Sequence, residues 1–527
     1  MLRAASIVIA ALAFKALFIF SYHSTDFEVH RNWLAVTHSL PTEKWYFEST
    51  SKWTLDYPPL FAWFEWLLSQ FAIFIDRRIC EISASPYVST KAVIFQRCSV
   101  LCTEFLLIFS LWRIIRVFFK LSITYTETDI HFQYNGFLFG VFFLASSFLV
   151  EERYLAAALC FTALLYLKHI FLYLAPVYFV FILFNYCLAS TKLNLLGIIT
   201  RFGKVASIVA LVTIFTFLPF HTTDQLRQIY SRLFPFDRGL THAYWAPNFW
   251  AIYNTAERIL YTIGRHSGTG SDLHTNVSSM TRGLVGAVDH VILPSVRPLH
   301  CIAFCICGMV PHLVRCAWKS AAFRSTTAEY RFVIFMETTV AAAWSCFVFG
   351  WHVHEKAILM VLLPLNLLAI AAPKYSEIAF YVTTLGHFSL IPLIPTPAET
   401  PAIVSSYLAY TGAHWLFLFR IVHPKSKTPP ARVTNKLVHA LARAHLYGLP
   451  LVYTLGFVVW PLSTWSARFP FAPLMLVSVY TAAGIVLCFY QYLLLSMRPT
   501  TVYGTPIKST EAKGEVKITE KEKLKVT

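Results

Sequence analysis

Apolar residues in this chain come in long runs rather than in alternation. One run leads from Arg3 to about Tyr22 and is followed by a polar, aromatic stretch from Ser24 to about Pro59. After the amphipathic segment Leu60–Ile75, apolar runs recur near 91–118, 136–150, 154–188, 203–220, 287–312, 333–349, 357–372, 377–393, 402–422, 437–461 and 472–496. Several approach or exceed the ~20 residues that cross a bilayer as a helix, and the run at 154–188 is long enough for two. The pattern predicts an all-α polytopic membrane protein with roughly 11–14 transmembrane helices, near a dozen crossings, and helical loops between some of them. No small-residue cleavage site follows the first run, so it reads as a first span and not as a signal peptide.

Composition sharpens this picture. Of 527 residues 57% are hydrophobic and 13% charged, with a mean hydropathy of +0.57. The charged share is about half that of a soluble protein. A soluble fold is excluded, and so is disorder everywhere but the last ~30 residues. The excess of 44 Lys+Arg over 27 Asp+Glu gives a charge of +17. These basic residues gather in short loops, as charge bias across a membrane requires, and not in a patch for nucleic acid. Most of the 11 cysteines lie inside apolar runs, and Cys98–Cys102 and Cys301–Cys305 are each one helical turn apart. They read as small helix-packing residues.

The orientation follows from the carboxyl end. Lys523 and Lys525 match a dilysine retrieval signal of the endoplasmic reticulum, which is read from the cytosol. With the tail 498–527 disordered and cytosolic, the basic loops 423–436, 312–331 and 191–204 fall in the cytosol. The stretches 221–286, 350–356 and 394–401 then face the lumen, as does the first loop, 23–90. The parity of crossings fails between about 117 and 135, where Lys120–Asp129 is polar and leaves no room for a span. Either a crossing is absent there or the segment 91–118 is irregular. Asn276-Val277-Ser278, on the lumenal side, is a possible glycan acceptor.

The lumenal loops hold the unusual chemistry. Asp26 and Glu28 stand directly after a span, where a carboxylate is shielded from bulk water yet reaches a ligand with a lipid tail. Asp26 equally suits a helix cap, as do Ser24 and Thr25. Asp56 precedes a stiff Pro58-Pro59 helix entry that also carries Glu65, and a turn or cap role is its plain alternative. Arg232 and Arg238 flank an aromatic loop and suit a phosphate, against the plain reading of an interfacial belt. His352, His354 and Lys356 lie at a span end. His-x-His invites zinc, but no further ligand has motif spacing nearby, so phosphate or sugar contacts are expected and no metal or other cofactor.

The segments S-T-D-F-E-V-H-R-N-W-L-A (24–35), W-T-L-D-Y-P-P-L-F-A-W-F-E-W (53–66), H-F-Q-Y-N-G (131–136), L-K-H-I-F-L-Y-L-A-P (167–176), R-L-F-P-F-D-R-G-L-T-H-A-Y-W-A-P-N-F-W-A (232–251) and G-W-H-V-H-E-K-A-I-L (350–359) carry a resemblance. Together they resemble the dolichyl-phosphate-glucose-dependent α-1,3-glucosyltransferases of the endoplasmic reticulum. The H-A-Y-W-A-P-N-F-W and G-W-H-V-H-E-K forms are similar to the enzyme adding the second glucose. The resemblance implies a GT-C fold over 1–497. It implies inverting transfer from dolichyl phosphate glucose to the terminal glucose of a dolichol-linked Glc1Man9GlcNAc2 acceptor. The family's base is the Asp of the D-F-E motif, which is Asp26 here, with Glu28 and Asp56 as weaker acceptor contacts. His354 matches the H-E-K motif and is the expected phosphate contact, with Lys356, Arg232 and Arg238 secondary. Ahead of His131 the chain departs from the family, reading Tyr125-Thr126-Glu127-Thr128-Asp129-Ile130 where an apolar span end belongs.

The nearest rival is the sister enzyme adding the first glucose to a terminal mannose. A transporter fits the architecture, but charges should then line the spans, where Lys15 and Lys168 are the main candidates. A non-catalytic subunit draws support only from the irregularity near residue 120.

Overall fold

A computed structural model describes residues 23–118, 134–189, 194–266, 289–322, 327–394, 397–422 and 436–499, with the single positions Ala13 and Ile19. Most of the first apolar run, the polar stretch Lys120–Asp129, Asn276 and the tail beyond 499 lie outside the described residues.

Helices dominate: α1 Thr25–Ser39, α2 Pro59–Ile75, α3 Thr90–Phe118, α4 Asn135–Val150, α5 Tyr154–Leu167, α6 Ala175–Ile182, α7 Leu195–Phe217, α8 Thr223–Leu233 and α9 Phe249–His266. They continue as α10 Pro298–Ala322, α11 Ala328–Phe349, α12 Leu359–Ala371, α13 Ser376–Leu390, α14 Thr400–Leu416, α15 Lys436–Tyr447, α16 Leu449–Tyr453, α17 Trp460–Leu462 and α18 Ala472–Ser496. Among the described residues eight helical stretches are long and apolar enough to cross a membrane, and shorter apolar helices lie at Pro59–Ile75, Asn135–Val150 and Tyr154–Leu167. The chain is therefore an all-α polytopic membrane protein. The run at 154–188 is two elements, because Lys168 takes an extended conformation between α5 and the turn that starts at His169.

Two basic stretches expected as loops are helical. Asn194 caps α7 by accepting the Leu196 N–H, so the helix starts early and takes in Arg201 and Lys204. Arg201 donates to the Tyr186 carbonyl, which removes the need to reach water. Helix α10 likewise continues to Ala322 and holds Arg315 and Lys319. Hydropathy alone stops at such cations, whereas a helix continues past them once each has a partner.

Helix α11 is the axis of the fold. Its spanning window is 94% buried, whereas none of the α7 window is. An all-round apolar sequence is tolerable in both places, since α11 meets protein on every side and α7 meets lipid. Helices α3 and α4 approach closely where Gly140 faces the Leu106–Leu107 backbone, with no room for a Cβ. Glu104 faces Gly136, and Arg113 pairs with Glu151, so the two helices run the same way. The parity fault expected from the sequence falls between these two helices, and the joining residues 119–133 are outside the described set.

Candidate active site

At the end of α11 the chain turns sharply, and the turn is held in place by a distant loop. A Cβ on Gly350 would lie 2.4 Å from the Cys346 carbonyl oxygen, so only glycine fits where the helix stops. His352 adopts a left-handed φ of 52°, a conformation costly for a residue with a Cβ unless its surroundings enforce it. They do: the His352 N–H donates to the Leu240 carbonyl at 2.9 Å, and its Nδ1 lies 3.1 Å from the Gly239 carbonyl. Thr241 and Val353 form an isolated parallel bridge, and Trp250 Nε1 donates to the Gly350 carbonyl. His352 thus ties two loops together.

This turn delivers Lys356 to Asp26. The Lys356 ammonium donates to Asp26 Oδ2 at 2.8 Å, and the Ser24 hydroxyl donates to the same oxygen at 3.1 Å. Ser24 occupies the α1 cap position but makes no side-chain capping bond to the helix, so Asp26 stands in the first turn with its carboxylate directed across the loops. Their side chains are 13% and 20% exposed, enough shielding for the pair to be well defined and enough access for a ligand.

Beside this pair three side chains converge. The rings of His242 and His354 have centroids 4.6 Å apart. Glu355 places Oε1 3.1 Å from His354 Nδ1 and Oε2 3.8 Å from His242 Nδ1. Glu355 is 1% exposed, and neither its Oε2 nor His242 Nδ1 has a hydrogen-bond partner. Burial pushes the Glu355 carboxyl up to about 7, against the pull of its own backbone hydrogen bond and of Lys356. Burial lowers His242 to about 4, helped by His352, Arg238 and Lys356. His354 falls well below the usual imidazole range through burial first, then through His242 and Lys356, while Asp26 acts the other way. Its side chain is 40% exposed, yet the open part lies deep among protein atoms, so desolvation still dominates.

A second carboxylate lies nearby. Asp56 is 3.8 Å from Arg238 Nη2. Enclosure pushes Asp56 up to about 6, opposed in turn by Arg238, Lys168, His30 and Arg232. Lys168 reaches Asn135 Oδ1 at 3.2 Å and stands over the Tyr57 ring. Burial raises the Tyr57 hydroxyl well above its ordinary range, and the charges of Asp56, Asp26 and Glu65 add to the rise.

Besides His352, which ties the loops, two more of the sequence candidates have other work. Glu28 is clamped by the Arg31 guanidinium at 2.7–2.9 Å and by the Tyr87 N–H at 3.2 Å. Arg31, wholly buried, also donates to the Ile79 and Glu81 carbonyls. Glu28 therefore locks α1 onto the first loop and is not brought to the cluster. Arg232 donates to the Tyr46 carbonyl and to Thr54 Oγ1, joining α8 to the loop ahead of Asp56. Asp26, Asp56, Arg238, His354 and Lys356 are the candidates that gather, and His242, Glu355 and Lys168 join them. His242 stood in a motif without an assigned task and Lys168 was named only for the transporter reading, and no spacing rule links either to its neighbours here.

His242, His354 and Glu355 offer three donor atoms within 4.8 Å of one another, which is the size of a metal site. Their surroundings disfavour a cation. His354 Nδ1 already accepts the Lys356 backbone N–H, and Lys356 and Arg238 both place positive charge against His242. Neutral imidazoles beside ammonium and guanidinium groups fit an anion better. An entering phosphate would offset the charge that holds the histidines neutral.

Comparison with known proteins gives a consistent answer. Residues 11–492 match the ALG6, ALG8 glycosyltransferase family. A mouse protein named dolichyl pyrophosphate Glc1Man9GlcNAc2 alpha-1,3-glucosyltransferase is 39% identical over 501 residues, covering 89% of this chain and 91% of its own. A Drosophila melanogaster protein with the same name marked probable is 40% identical over 514 residues, at 92% and 93% coverage. The Arabidopsis thaliana protein of that name is 38% identical over 498 residues, at 90% and 94%.

Proposed function

The chain belongs to the ALG6, ALG8 glycosyltransferase family, and on that premise we propose that it adds the second α-1,3-linked glucose to the dolichol-linked oligosaccharide used for protein N-glycosylation. The acceptor is Glc1Man9GlcNAc2-diphosphodolichol and the donor is dolichyl phosphate glucose. The site faces the lumen of the endoplasmic reticulum and the carboxyl tail the cytosol.

One carboxylate is enough for an inverting displacement. Asp26 takes the proton from the acceptor 3-hydroxyl as that oxygen attacks the anomeric carbon, and dolichyl phosphate leaves from the opposite face. No glycosyl-enzyme forms. Lys356 orients the Asp26 carboxylate and brings a positive charge to the place where the leaving phosphate gains negative charge. His354, with the tilted His242 ring beside it, donates to that phosphate, and Arg238 extends the cationic wall. Asp56 accepts from acceptor hydroxyls.

The observation that carries this reading is the meeting of Asp26 and Lys356, 330 residues apart in sequence, beside His354. Two motifs that share nothing locally are folded into one polar cluster, with a proton acceptor and phosphate donors side by side. The test is reconstitution of the purified full chain in lipid with dolichyl phosphate glucose and each of two lipid acceptors. Elongation of Glc1Man9 that disappears in Asp26→Asn is expected. Elongation of Man9 alone would make the chain the sister enzyme, and activity retained by Asp26→Asn would remove the base.

A further inference from the structure

His30 stands one turn after Asp26 on α1, a spacing that places both side chains on one helix face. Its ring is lodged among Trp33, Phe61 and Tyr134, with centroids 5.1–5.8 Å away. Nδ1 lies 2.6 Å from Glu65 Oε1 on α2. Glu65 is entirely buried, and its Oε2 has no hydrogen-bond partner. For stability alone this is a poor arrangement. A carboxylate withdrawn from water into aromatic rings, with one oxygen satisfied, is inferior to an apolar side chain of the same size. The neighbouring pair Glu28–Arg31, with both carboxylate oxygens engaged, shows what a purely structural ion pair on α1 looks like.

A single carboxylate bonded to Nδ1 has a familiar effect: it fixes the imidazole tautomer and aims the other nitrogen. With Glu65 ionised and His30 neutral, Nδ1–H donates to Glu65 Oε1 and Nε2 keeps its lone pair. Nε2 makes no hydrogen bond to any described group, and the His30 side chain keeps 6% exposure. Trp33, whose ring lies 5.2 Å from that of His30, also packs against Tyr57 with ring centroids 4.8 Å apart, and Tyr57 adjoins Asp56 in sequence. His30 thus stands one ring away from the Asp56–Tyr57 segment and shares the helix face of Asp26.

We propose that His30, oriented by Glu65, binds the acceptor sugar, with Nε2 accepting a hydrogen bond from a hydroxyl adjacent to the one whose proton goes to Asp26. Glu65 is a positioning residue that acts through His30. The inference rests on the glucosyltransferase reading and adds to it a specificity determinant. The terminal sugar is held by His30 and Asp56 on either side of its reacting hydroxyl.

The test compares His30→Phe, His30→Gln, Glu65→Leu and Glu65→Gln in the reconstituted full chain, using the Glc1Man9 lipid acceptor and its analogues lacking the 2- or 4-hydroxyl of the terminal glucose. His30→Phe should raise the acceptor KM about tenfold and leave the donor KM unchanged. His30→Gln, whose amide oxygen can accept the same bond, should recover most of that loss. Glu65→Leu should resemble His30→Phe, and Glu65→Gln, which can still accept from Nδ1–H, should fall between it and wild type. The decisive readout is discrimination: wild type should lose affinity for one deoxy analogue, and His30→Phe should lose nothing further on that analogue. A His30→Phe enzyme that discriminates among the analogues as wild type does, or that changes donor and acceptor KM alike, overturns the proposal. If His30→Phe does not fold, the same two outcomes are read on Glu65→Leu. A wild-type chain that fails to elongate Glc1Man9 at all would refute the underlying activity instead, so the two failures are distinguishable.

Discussion

Two glutamates, each about 1% exposed, one within the axial helix and one just beyond its end, have opposite surroundings. Glu337 lies on α11, and Glu355 follows that helix in the turn at the site. The Glu337 carboxylate is held by Arg315, by Lys374 at 3.3 Å and by the Tyr375 hydroxyl at 2.5 Å. Tyr492 donates to its backbone carbonyl. Lys374 also reaches the carbonyls at 495 and 498, so the cluster closes the end of α18. Glu355, six residues beyond the end of α11, has an oxygen with no partner among the described residues, beside a histidine nitrogen with none. A buried carboxylate with every oxygen engaged is a fastener. One left incomplete, in a pocket of histidines, is set for something that arrives later.

The contrast can be tested by substitution in both surroundings. The largest effect is expected at the open cluster, where Asp26→Asn should lower kcat by about 10²–10⁴ without shifting the melting temperature in detergent. Glu337→Ala should do the reverse. It leaves Arg315 and Lys374 unpaired and should destabilise the protein by roughly 3–5 kcal/mol, while the folded fraction keeps both KM values; a kinetic defect without a melting shift would break the comparison. Glu355→Gln should reveal a pH signature. The folded carboxyl titrates near 7 against an ordinary value of 4.5, so the stability linked to its neutral form is complete below the ordinary value and is lost as pH rises to 7. Relative to the glutamine variant, wild type should lose about 3 kcal/mol over that interval, visible as a widening gap between their melting temperatures. The smallest change is expected for Asp56. Its carboxyl titrates near 6, so the acceptor KM of wild type should fall by roughly tenfold or less as pH rises through 6, and Asp56→Asn should flatten that dependence.

Much of the fold can be read directly from hydropathy. The run at 472–496 is the helix Ala472–Ser496, and the run at 402–422 falls within the span Thr400–Val422. The ends of α7 and α10 were hidden because Arg201 and Arg315 lower the local hydropathy, while their partners, the Tyr186 carbonyl and Glu337, are distant in sequence. The role of Glu28 was within reach: Glu28 and Arg31 stand three apart on a helix, a spacing that favours pairing. Asp26, His354 and Lys356 stood out through family resemblance. His242, Glu355 and Glu65 did not, because what distinguishes them is a missing partner in three dimensions, and no one-dimensional pattern records that.

The link between Asp26 and Lys356 also has a bearing on biosynthesis. The ribosome must deliver 356 of 527 residues before the carboxylate near the start of the chain meets its ammonium partner. Contacts of such long range form late and slowly. A nascent or truncated chain ending before that point carries α1 with an incomplete centre, so premature termination anywhere in the first two-thirds yields a polypeptide without this ion pair, however well its early helices insert.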